Sequence, residues 1–409
     1  MRRSSLRLQS SIACALLILV ALGSVADAES RGRGRTSRSF KRRTRSLSKK
    51  LLVRQAQQPA PNAQQPGRKA NSIRSRLPKV STVKNQPAVN AGKKHRYTVA
   101  SFNVENLFAY RPGQPAPQGK DGRKPPRYLP KDKAQYQAKL AKVAKAILVD
   151  MKHPEVVALQ EIENRKDVDV LKDLSGEIKR QASALGKTVD YGVARVAGSS
   201  DNRGIGQGFL YRKDRVTALK PKSHETKAPQ SVAKDGEGRT LMRRPLLVGG
   251  FEIHRDGVKG KGPKERIYIV NQHLKSRPDS YVERRAAQAK FSGEKVQALL
   301  KKDPKARVIV AGDFNVDINQ KPHKAQMKSL EGLGKKGLLS NLTSRLSSGE
   351  RFSYLYKGRP QLLDWMYATK TLDKQLVELR IPHINSPESR GKRASDHDPV
   401  LATFAGRFE

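Results

Sequence analysis

Short apolar runs alternate with helical stripes along the chain from residue 97 onward. Eight runs rich in β-branched residues, several of them bounded by Gly, Pro or Asn, predict β-strands. These runs are residues 97–102, 155–159, 206–211, 246–253, 266–271, 307–310, 362–368 and 400–404. Between them, apolar residues at spacings of three and four from Tyr136 to Met151 predict a helix, and residues 280–300 are rich in helix formers. Two sheets covered by helices accommodate this mixture, so we predict one α/β domain over residues 97–409.

The chain begins with a different pattern. Three arginines within the first seven residues precede an apolar run at 12–25 and the small-residue sequence Ala26-Asp27-Ala28. This order is typical of a secretory signal peptide, which we predict over residues 1–28. An uncleaved anchor is the alternative, but the run is short for a stable membrane span. We therefore expect a protein that is secreted or held in the periplasm or cell envelope. The single cysteine, Cys14, lies in the predicted signal peptide, so we expect no disulfide or thiolate chemistry in the mature chain.

Charge separates the second segment from the domain. The chain carries a formal net charge of +46, and residues 29–100 hold 20 Lys and Arg against one acid. Apolar residues in this stretch have no period of 2 or 3.6, so we predict a disordered basic linker over residues 29–96. It could act as a solvated spacer or as an electrostatic tether. The remaining residues, 101–409, carry +25. A chain this basic favours polyanionic partners such as nucleic acid, anionic lipid or an acidic cell-wall polymer.

Polar signatures lie at the ends of five predicted strands. They occupy residues 101–106, 159–163, 271–276, 311–315 and 395–399. A buried strand has little reason to end in a carboxylate plus an amide unless something polar is held there. Strand ends along one edge of a sheet are neighbours in space, so we expect these signatures to converge on one site. Taken alone, an aspartate at a strand end is more often a turn residue or helix cap than a ligand, and His273 could equally be a structural histidine.

Three of these residues offer oxygen ligands for a metal ion. Mg²⁺ prefers oxygen and often takes only one or two carboxylates beside waters and substrate phosphate. Asn103 and Glu161 supply such oxygens, and Asp396 is a further candidate. The sequence therefore predicts a divalent-metal site.

Five more residues suit the hydrolysis of a phosphoester. Attack on a phosphodiester requires hydrogen-bond donors that offset the charge developing at phosphorus, and His273, Asn315 and protonated His397 are suitable donors. A water nucleophile must be oriented and deprotonated, a task that Asp313 and His397 could share. Asp364, in an otherwise apolar strand, could hold a histidine in the right tautomer.

The motifs resemble those of the endonuclease/exonuclease/phosphatase superfamily. Gly312-Asp313-Phe314-Asn315 together with Ser-Asp-His-Asp-Pro-Val at 395–400 is specific, and Gln160-Glu161 and Asn103 occur in the expected order. The resemblance covers about residues 97–405. Segments 201–204 and 243–245 look most similar to secreted bacterial nucleases.

This resemblance implies a four-layer α/β/β/α sandwich of two mixed sheets and cleavage of phosphoesters with Mg²⁺ or Mn²⁺, with Ca²⁺ as a third option. It implies metal binding by Asn103 and Glu161 near Asp396, a catalytic pair of His397 with Asp364, and positioning of water and phosphate by Asp313 and Asn315. His273 resembles the second histidine of the deoxyribonuclease-like branch. Glu105 departs from the residue common at its position, so a metal-binding role for Glu105 is not carried over.

The motifs leave the substrate open. Predicted export and basic charge favour a nonspecific nuclease, with Lys275 and Arg277 as phosphate-binding residues. Arg284 and Arg285 follow them, and all four could instead form a solvated helix face. A phosphatase or a phospholipase C-type diesterase acting on phospholipid or inositol phosphate is the enzymatic alternative, and a non-catalytic polyanion-binding module is the other. DNA against RNA, endo against exo cleavage, protein partners and oligomeric state are left undetermined.

Overall fold

The computed structural model describes residues 83–84, 95–112, 129–260, 262–277, 280–317, 320 and 325–409. The predicted signal peptide at 1–28 and nearly all of the predicted linker at 29–96 lie outside these ranges. Two parts of the predicted linker are described. Residues 83–84 form a short strand, and residues 95–96 lie at the start of the domain. None of the helices within the described ranges combines the length and hydropathy needed to cross a bilayer.

Sixteen strands and six α-helices form within the described ranges. The strands are β1 (Val83–Lys84), β2 (Arg96–Leu107), β3 (Val156–Glu163), β4 (Tyr191–Ala194), β5 (Ile205–Arg212), β6 (Val216–Ala218), β7 (Lys222–His224), β8 (Leu246–His254), β9 (Lys264–His273), β10 (Arg307–Asp313), β11 (Leu339–Asn341), β12 (Tyr354–Tyr356), β13 (Arg359–Gln361), β14 (Asp364–Thr369), β15 (Leu376–Arg380) and β16 (Val400–Ala405). The helices are α1 (Lys133–Lys145), α2 (Val170–Ala184), α3 (Gln230–Ala233), α4 (Val282–Lys302), α5 (Lys328–Lys335) and α6 (Lys370–Asp373). A π-helical turn at Ala146–Asp150 continues α1, and 3₁₀ turns lie at Ala325–Met327 and Thr343–Arg345.

The strands form two large mixed sheets. The first sheet has the order β1-β15-β16-β2-β3-β5-β4, and the second has the order β11-β14-β10-β9-β8-β6, with β7 also paired to β8. Each sheet has one parallel pair near its centre, β2 with β3 and β9 with β10, and its other pairs are antiparallel. Strands β12 and β13 form a separate hairpin. Because β2, β3, β9 and β10 carry most of the polar signatures, their carboxyl ends decide where the site lies.

Burial on both faces explains why the central strands are almost continuously apolar. In β3, Val156 and Ala158 pack in the core between the sheets, whereas Val157 and Leu159 pack against α1 and α2. The core between the sheets continues beneath α4 and α5. The order of layers is therefore helix, sheet, sheet, helix, which confirms the predicted α/β/β/α sandwich.

All eight predicted strands and both predicted helices are present, but the strands at the site are longer than predicted. Strand β2 continues to Leu107, β3 to Glu163, β9 to His273 and β10 to Asp313. The polar residues are thus held within the final residues of the strands and not in loops beyond them. This fixes their backbones by the hydrogen bonds of the sheet. Helix α2, whose Asp169 side chain caps it by accepting from the Lys172 amide at 3.3 Å, was not predicted.

Candidate active site

Polar side chains from both sheets meet at one end of the sandwich. Asn103 Nδ2 donates to Asp313 Oδ2 at 3.1 Å, which joins β2 of the first sheet to β10 of the second. His273 Nε2 lies 3.3 Å from Asp313 Oδ2 and 3.8 Å from Glu161 Oε1. His397 Nε2 lies 3.9 Å from Asp313 Oδ2. The three polar groups on which the sequence-based hypothesis depends, Glu161, Asp313 and His397, are therefore brought together.

A bulge in β3 turns Glu161 towards this cluster. The register shifts between Gln160 and Ile162 against both neighbouring strands, and Glu161 has a φ of 60°. Without the bulge, strand alternation would place Glu161 on the helix-covered face with Leu159. The Glu161 carboxylate instead accepts from the Asn106 amide at 3.0 Å. The bulge thus directs the Glu161 carboxylate into the site.

A glycine places Asp313 beside His273. Gly312 has a φ of 140°, and a Cβ added there would lie 1.8 Å from the carbonyl oxygen of Gln272 on β9. Only glycine allows this close approach of β10 to β9, which sets Asp313 opposite His273 in the register. After the strand, the Asn315 amide donates to Asp313 Oδ1 at 2.8 Å and so fixes that carboxylate.

His397 is held by a buried carboxylate. Its Nδ1 lies 2.7 Å from Asp364 Oδ2, the same oxygen that accepts from the Ser353 hydroxyl at 2.7 Å. Burial alone would lower the pKa of His397, but the charge and hydrogen bond of Asp364 outweigh it, and the pKa lies well above its ordinary value. Asp364 therefore holds His397 with a proton on Nδ1 and with Nε2 towards the cluster.

Burial shifts the other two titrating groups in opposite directions. It raises the pKa of Asp313 to about 7, with His397 opposing the shift and Asp364 adding to it. Burial also lowers the pKa of His273 well below its ordinary value, and the charges of Arg244 and Arg203 lower it further. The cluster therefore combines one carboxylate that ionises with difficulty and one histidine that stays neutral.

Two arginines in this cluster were not predicted as site residues. Arg244 is buried and donates to His273 Nε2 and, at 2.9 Å, to the carbonyl of Leu274. Because a guanidinium only donates, His273 Nε2 must accept here and cannot donate to a phosphate in this arrangement. Arg203 reaches the Glu161 carboxylate at 3.5 Å. The segments that contain these arginines stood out only for their resemblance to secreted nucleases, and their spacing alone gave no role.

A lysine lies among the carboxylates on the other side of the site. The Lys139 ammonium donates to the carbonyl of Ala394 at 2.7 Å. Burial lowers the pKa of Lys139 to about 8, against the opposing charges of Glu105, Asp396 and Glu161. Burial and the charge of Asp396 raise the pKa of Glu105. The charges of these three carboxylates thus all act on the Lys139 ammonium, although Glu105 was not carried over as a site residue.

The donor chemistry fits a divalent ion held by few protein ligands. Within the part of the chain that the structure describes, no three His, Cys, Asp or Glu side chains gather into a metal cluster. Mg²⁺ does not need such a cluster, since one or two oxygen ligands with waters and substrate suffice. Glu161 supplies a carboxylate, and Asn103 Oδ1, which accepts from the Glu105 amide at 3.0 Å, keeps a second lone pair.

The basic residues after β9 do not behave as a group. Lys275 pairs with Glu237 at 2.7 Å and lies 4.7 Å from the ring centroid of Tyr281, whereas Arg277 is exposed. Both remain candidates for phosphate contact, with Lys275 already engaged by an acid.

Arg284 and Arg285 require a correction. Both are fully buried, so they line neither a groove nor a solvated helix face. Arg284 binds the Asp235 carboxylate at 2.6 and 2.8 Å, and Arg285 Nε donates to Gln326 at 2.6 Å. These arginines fasten α4 to neighbouring loops. The sequence pattern could not show this because the side-chain acceptors Asp235 and Gln326 lie about 40 residues or more away in the chain.

Remaining acids near the motifs are structural. Glu163 pairs with Arg111 at 2.6 Å, and Asp398 accepts from the Asn385 amide at 2.7 Å. Each carboxylate thus finds its partner within the fold.

Comparisons with known proteins place this geometry. The family model described as "Endonuclease/Exonuclease/phosphatase family" matches residues 98–387. Among solved structures, truncated TDP2 from Caenorhabditis elegans is 17% identical with a TM-score of 0.44, covering 76% of this chain and 98% of that chain. A family protein from Bacteroides thetaiotaomicron is 15% identical with a TM-score of 0.45, covering 75% and 97%. The human nocturnin catalytic domain with bound sulfate is 15% identical with a TM-score of 0.45, covering 81% and 98%.

No curated protein matched the chain in the corresponding search. The family model spans well over half of the sequence and includes most of β2, the bulge of β3 and the Gly-Asp-Phe-Asn segment at the end of β10. The chain therefore belongs to the endonuclease/exonuclease/phosphatase family, whose members hydrolyse phosphoric esters and typically use divalent metal ions.

Proposed function

We propose that the protein is a secreted, metal-dependent phosphodiesterase that cleaves polynucleotides without sequence preference. The observation that carries the proposal is the convergence of Glu161, Asp313 and the Asp364–His397 pair at one end of the two sheets. Phosphodiester hydrolysis needs a carboxylate that can bind a metal ion, groups that position the attacking water, and a histidine held in place. Glu161, Asp313 with His397, and the Asp364–His397 pair would supply these in turn.

Each group has a task in this reaction. A water oxygen forms a bond to phosphorus while the ester P–O bond on the opposite side breaks. Asp313 and His397 orient the water, Asp313 takes its proton, and the protonated His397 imidazole gives a proton to the departing oxygen. Asp364 keeps the His397 imidazole oriented throughout. Arg244, which lies against His273, provides the guanidinium donor that offsets charge on the phosphate oxygens.

Glu161 and Asn103 would hold the divalent ion, with Asp396 near them. When bound, such an ion polarises a phosphoryl oxygen and neutralises developing charge. Arg203 lies 3.5 Å from the Glu161 carboxylate, and the charges of Asp396 and Glu161 also act on the Lys139 ammonium.

Exposed cations around the site favour a polymer of phosphates as substrate. Arg203 reaches Glu161 at 3.5 Å and is partly exposed. Arg393 reaches Glu105 at 3.9 Å, with exposed Arg390 near the same acid. Several cations around a cleavage site suit a backbone that continues beyond the scissile phosphate, because each further phosphate contact releases counterions. A small monoester would use only the central groups.

The test is cleavage of supercoiled plasmid by the purified protein with Mg²⁺, beside a chelator control. We expect nicking that the chelator abolishes and that falls by at least about a hundredfold in His397→Ala and Glu161→Ala. His224→Ala, which changes a histidine on β7, is the matched control and is expected to retain wild-type nicking.

Two outcomes contradict the proposal. An inert plasmid together with release of phosphate or phosphocholine from lipid or inositol-phosphate substrates assigns the site to a phosphatase or a phospholipase C-type diesterase. Plasmid binding without turnover of any phosphoester assigns it to a non-catalytic polyanion binder.

A further inference from the structure

A short hairpin lies directly against the catalytic histidine. Strands β12 and β13 pair through Tyr354 with Gln361 and Tyr356 with Arg359. Tyr354 also forms an isolated β-bridge with His397. The hairpin is therefore joined by backbone pairing to the segment that presents the catalytic imidazole.

Ser353 ties the base of this hairpin to the same pair. Its hydroxyl donates to Asp364 at 2.7 Å, and its carbonyl accepts from the Asp398 amide at 2.7 Å. Its amide donates to the Gln361 carbonyl at 2.9 Å, which closes the hairpin. One residue thus fixes the hairpin, the histidine segment and the carboxylate that orients the histidine.

The hairpin presents an aromatic face beside the site. The ring centroids of Tyr354 and His397 are 5.0 Å apart. Tyr356 lies two positions further along the strand, so strand alternation puts it on the same face at about 7 Å from Tyr354. Tyr356 is 51% exposed, the most exposed aromatic among the large hydrophobic residues of the described ranges. The two tyrosines therefore form one aromatic face, with Tyr354 beside His397 and Tyr356 exposed to solvent.

The tip of the hairpin is cationic and is closed by a tight turn. Lys357 and Gly358 have φ values of 49° and 79°, as a two-residue hairpin turn requires. The Lys357 ammonium lies 5.5 Å from the Tyr356 ring centroid, and Arg359 is exposed on the returning strand. Aromatic faces interleaved with cations match a strand of nucleic acid, whose bases stack while its phosphates pair with the cations. A membrane would need a larger apolar tip, and here Leu355 is half-buried and Pro360 is its remaining exposed apolar neighbour.

We propose that this hairpin binds an unpaired nucleobase next to the scissile phosphate, by stacking on Tyr356, and so directs the enzyme towards single-stranded or locally opened nucleic acid. The inference rests on the proposed nuclease function. It adds a base-contacting surface to a site that otherwise contacts only phosphate. Its sequence signal, two tyrosines in Tyr354-Leu355-Tyr356, was too sparse to indicate a stacking platform until the fold brought it to His397.

The test compares two single-stranded oligonucleotides of equal length, one with bases and one built of abasic tetrahydrofuran units. The readout is the ratio of their kcat/KM values, with kcat and KM resolved separately. In Tyr356→Ala we expect this ratio to fall about tenfold, chiefly through a higher KM for the base-containing strand. Tyr356→Trp, which keeps an aromatic face, is expected to restore the ratio. Leu185→Ala, at an exposed apolar residue just beyond α2, is the matched surface control.

The outcomes separate this inference from the function on which it rests. If the wild type cleaves neither strand, the proposed nuclease function fails. If the wild type cleaves both and Tyr356→Ala leaves the ratio within twofold, the hairpin inference fails alone. It also fails if Tyr356→Ala abolishes binding to phosphatidylserine vesicles while the ratio is unchanged, because the hairpin would then contact a membrane.

Discussion

Replacement of Gly312 by alanine probes the link between sheet packing and the site. The added Cβ would lie 1.8 Å from the Gln272 carbonyl oxygen, whereas real Cβ contacts essentially never fall below 3.0 Å. Strand β10 must therefore move by more than about 1 Å from β9, within a pair that is normally about 4.8 Å apart. A φ of 140° adds backbone strain of about 1–3 kcal/mol for any residue with a Cβ. Together these effects should lower the free energy of unfolding by at least about 4 kcal/mol.

Urea unfolding followed by tryptophan fluorescence measures this directly. The chain has a single tryptophan, Trp365, which is fully buried and lies opposite Gly312 in the β10–β14 register. The same displacement moves Asp313, the next residue, out of its hydrogen bond with Asn103. We expect Gly312→Ala to lose phosphodiesterase activity even below the urea concentration at which it unfolds.

Gly337→Ala is the matched control, because Gly337 has a φ of 75° but no atom within 4 Å of an added Cβ. It should cost only about 1–2 kcal/mol, from backbone conformation alone. Equal losses of stability in the two variants would refute the reasoning, since the carbonyl clash would then contribute nothing.

Three further changes test other parts of the structure. Asp364→Asn should lower plasmid nicking by about 10²–10⁴-fold with unfolding stability nearly retained, because His397 loses its anionic partner; a loss below tenfold contradicts the pair. Arg244→Lys should lower kcat/KM about tenfold or more, because one ammonium does not reproduce the two guanidinium nitrogens that reach His273 and Leu274 separately; unchanged kinetics would exclude Arg244 from the site. Gly176→Ala, in the exposed face of α2, should raise unfolding stability by about 0.5–1 kcal/mol in the same urea assay; a decrease contradicts the assigned helix.

Hydropathy patterns predicted the layers well because both faces of the central strands are buried. The apolar run through Val156–Leu159 needs a covering on each side, which fits sheets covered by helices, and the family resemblance implied the four-layer order. The short strands β6 and β7 and the helix α2 escaped prediction. Their patterns are too short or too mixed to stand out without the neighbours that bury them.

For the candidate site, the sequence supplied the residue types and their order. The carboxylates, amides and histidines stood at strand ends, and the family motifs gave several of them expected roles. The sequence also showed that Arg284 and Arg285 are basic, but it could not show that they are buried, because their burial depends on Asp235 and Gln326 from distant loops. A linear pattern carries no information about such partners.

The composition of the core, the fold class and the chemical class of the site could all be predicted from the sequence. All three depend on which residues occur and on how they alternate. Tertiary structure decided the direction of Glu161 through a bulge, the neutral state of His273 through its burial beside Arg244, and the position of Tyr354 beside His397. These features arise from distances between atoms of separate strands, and such distances exist only once the two sheets have packed together.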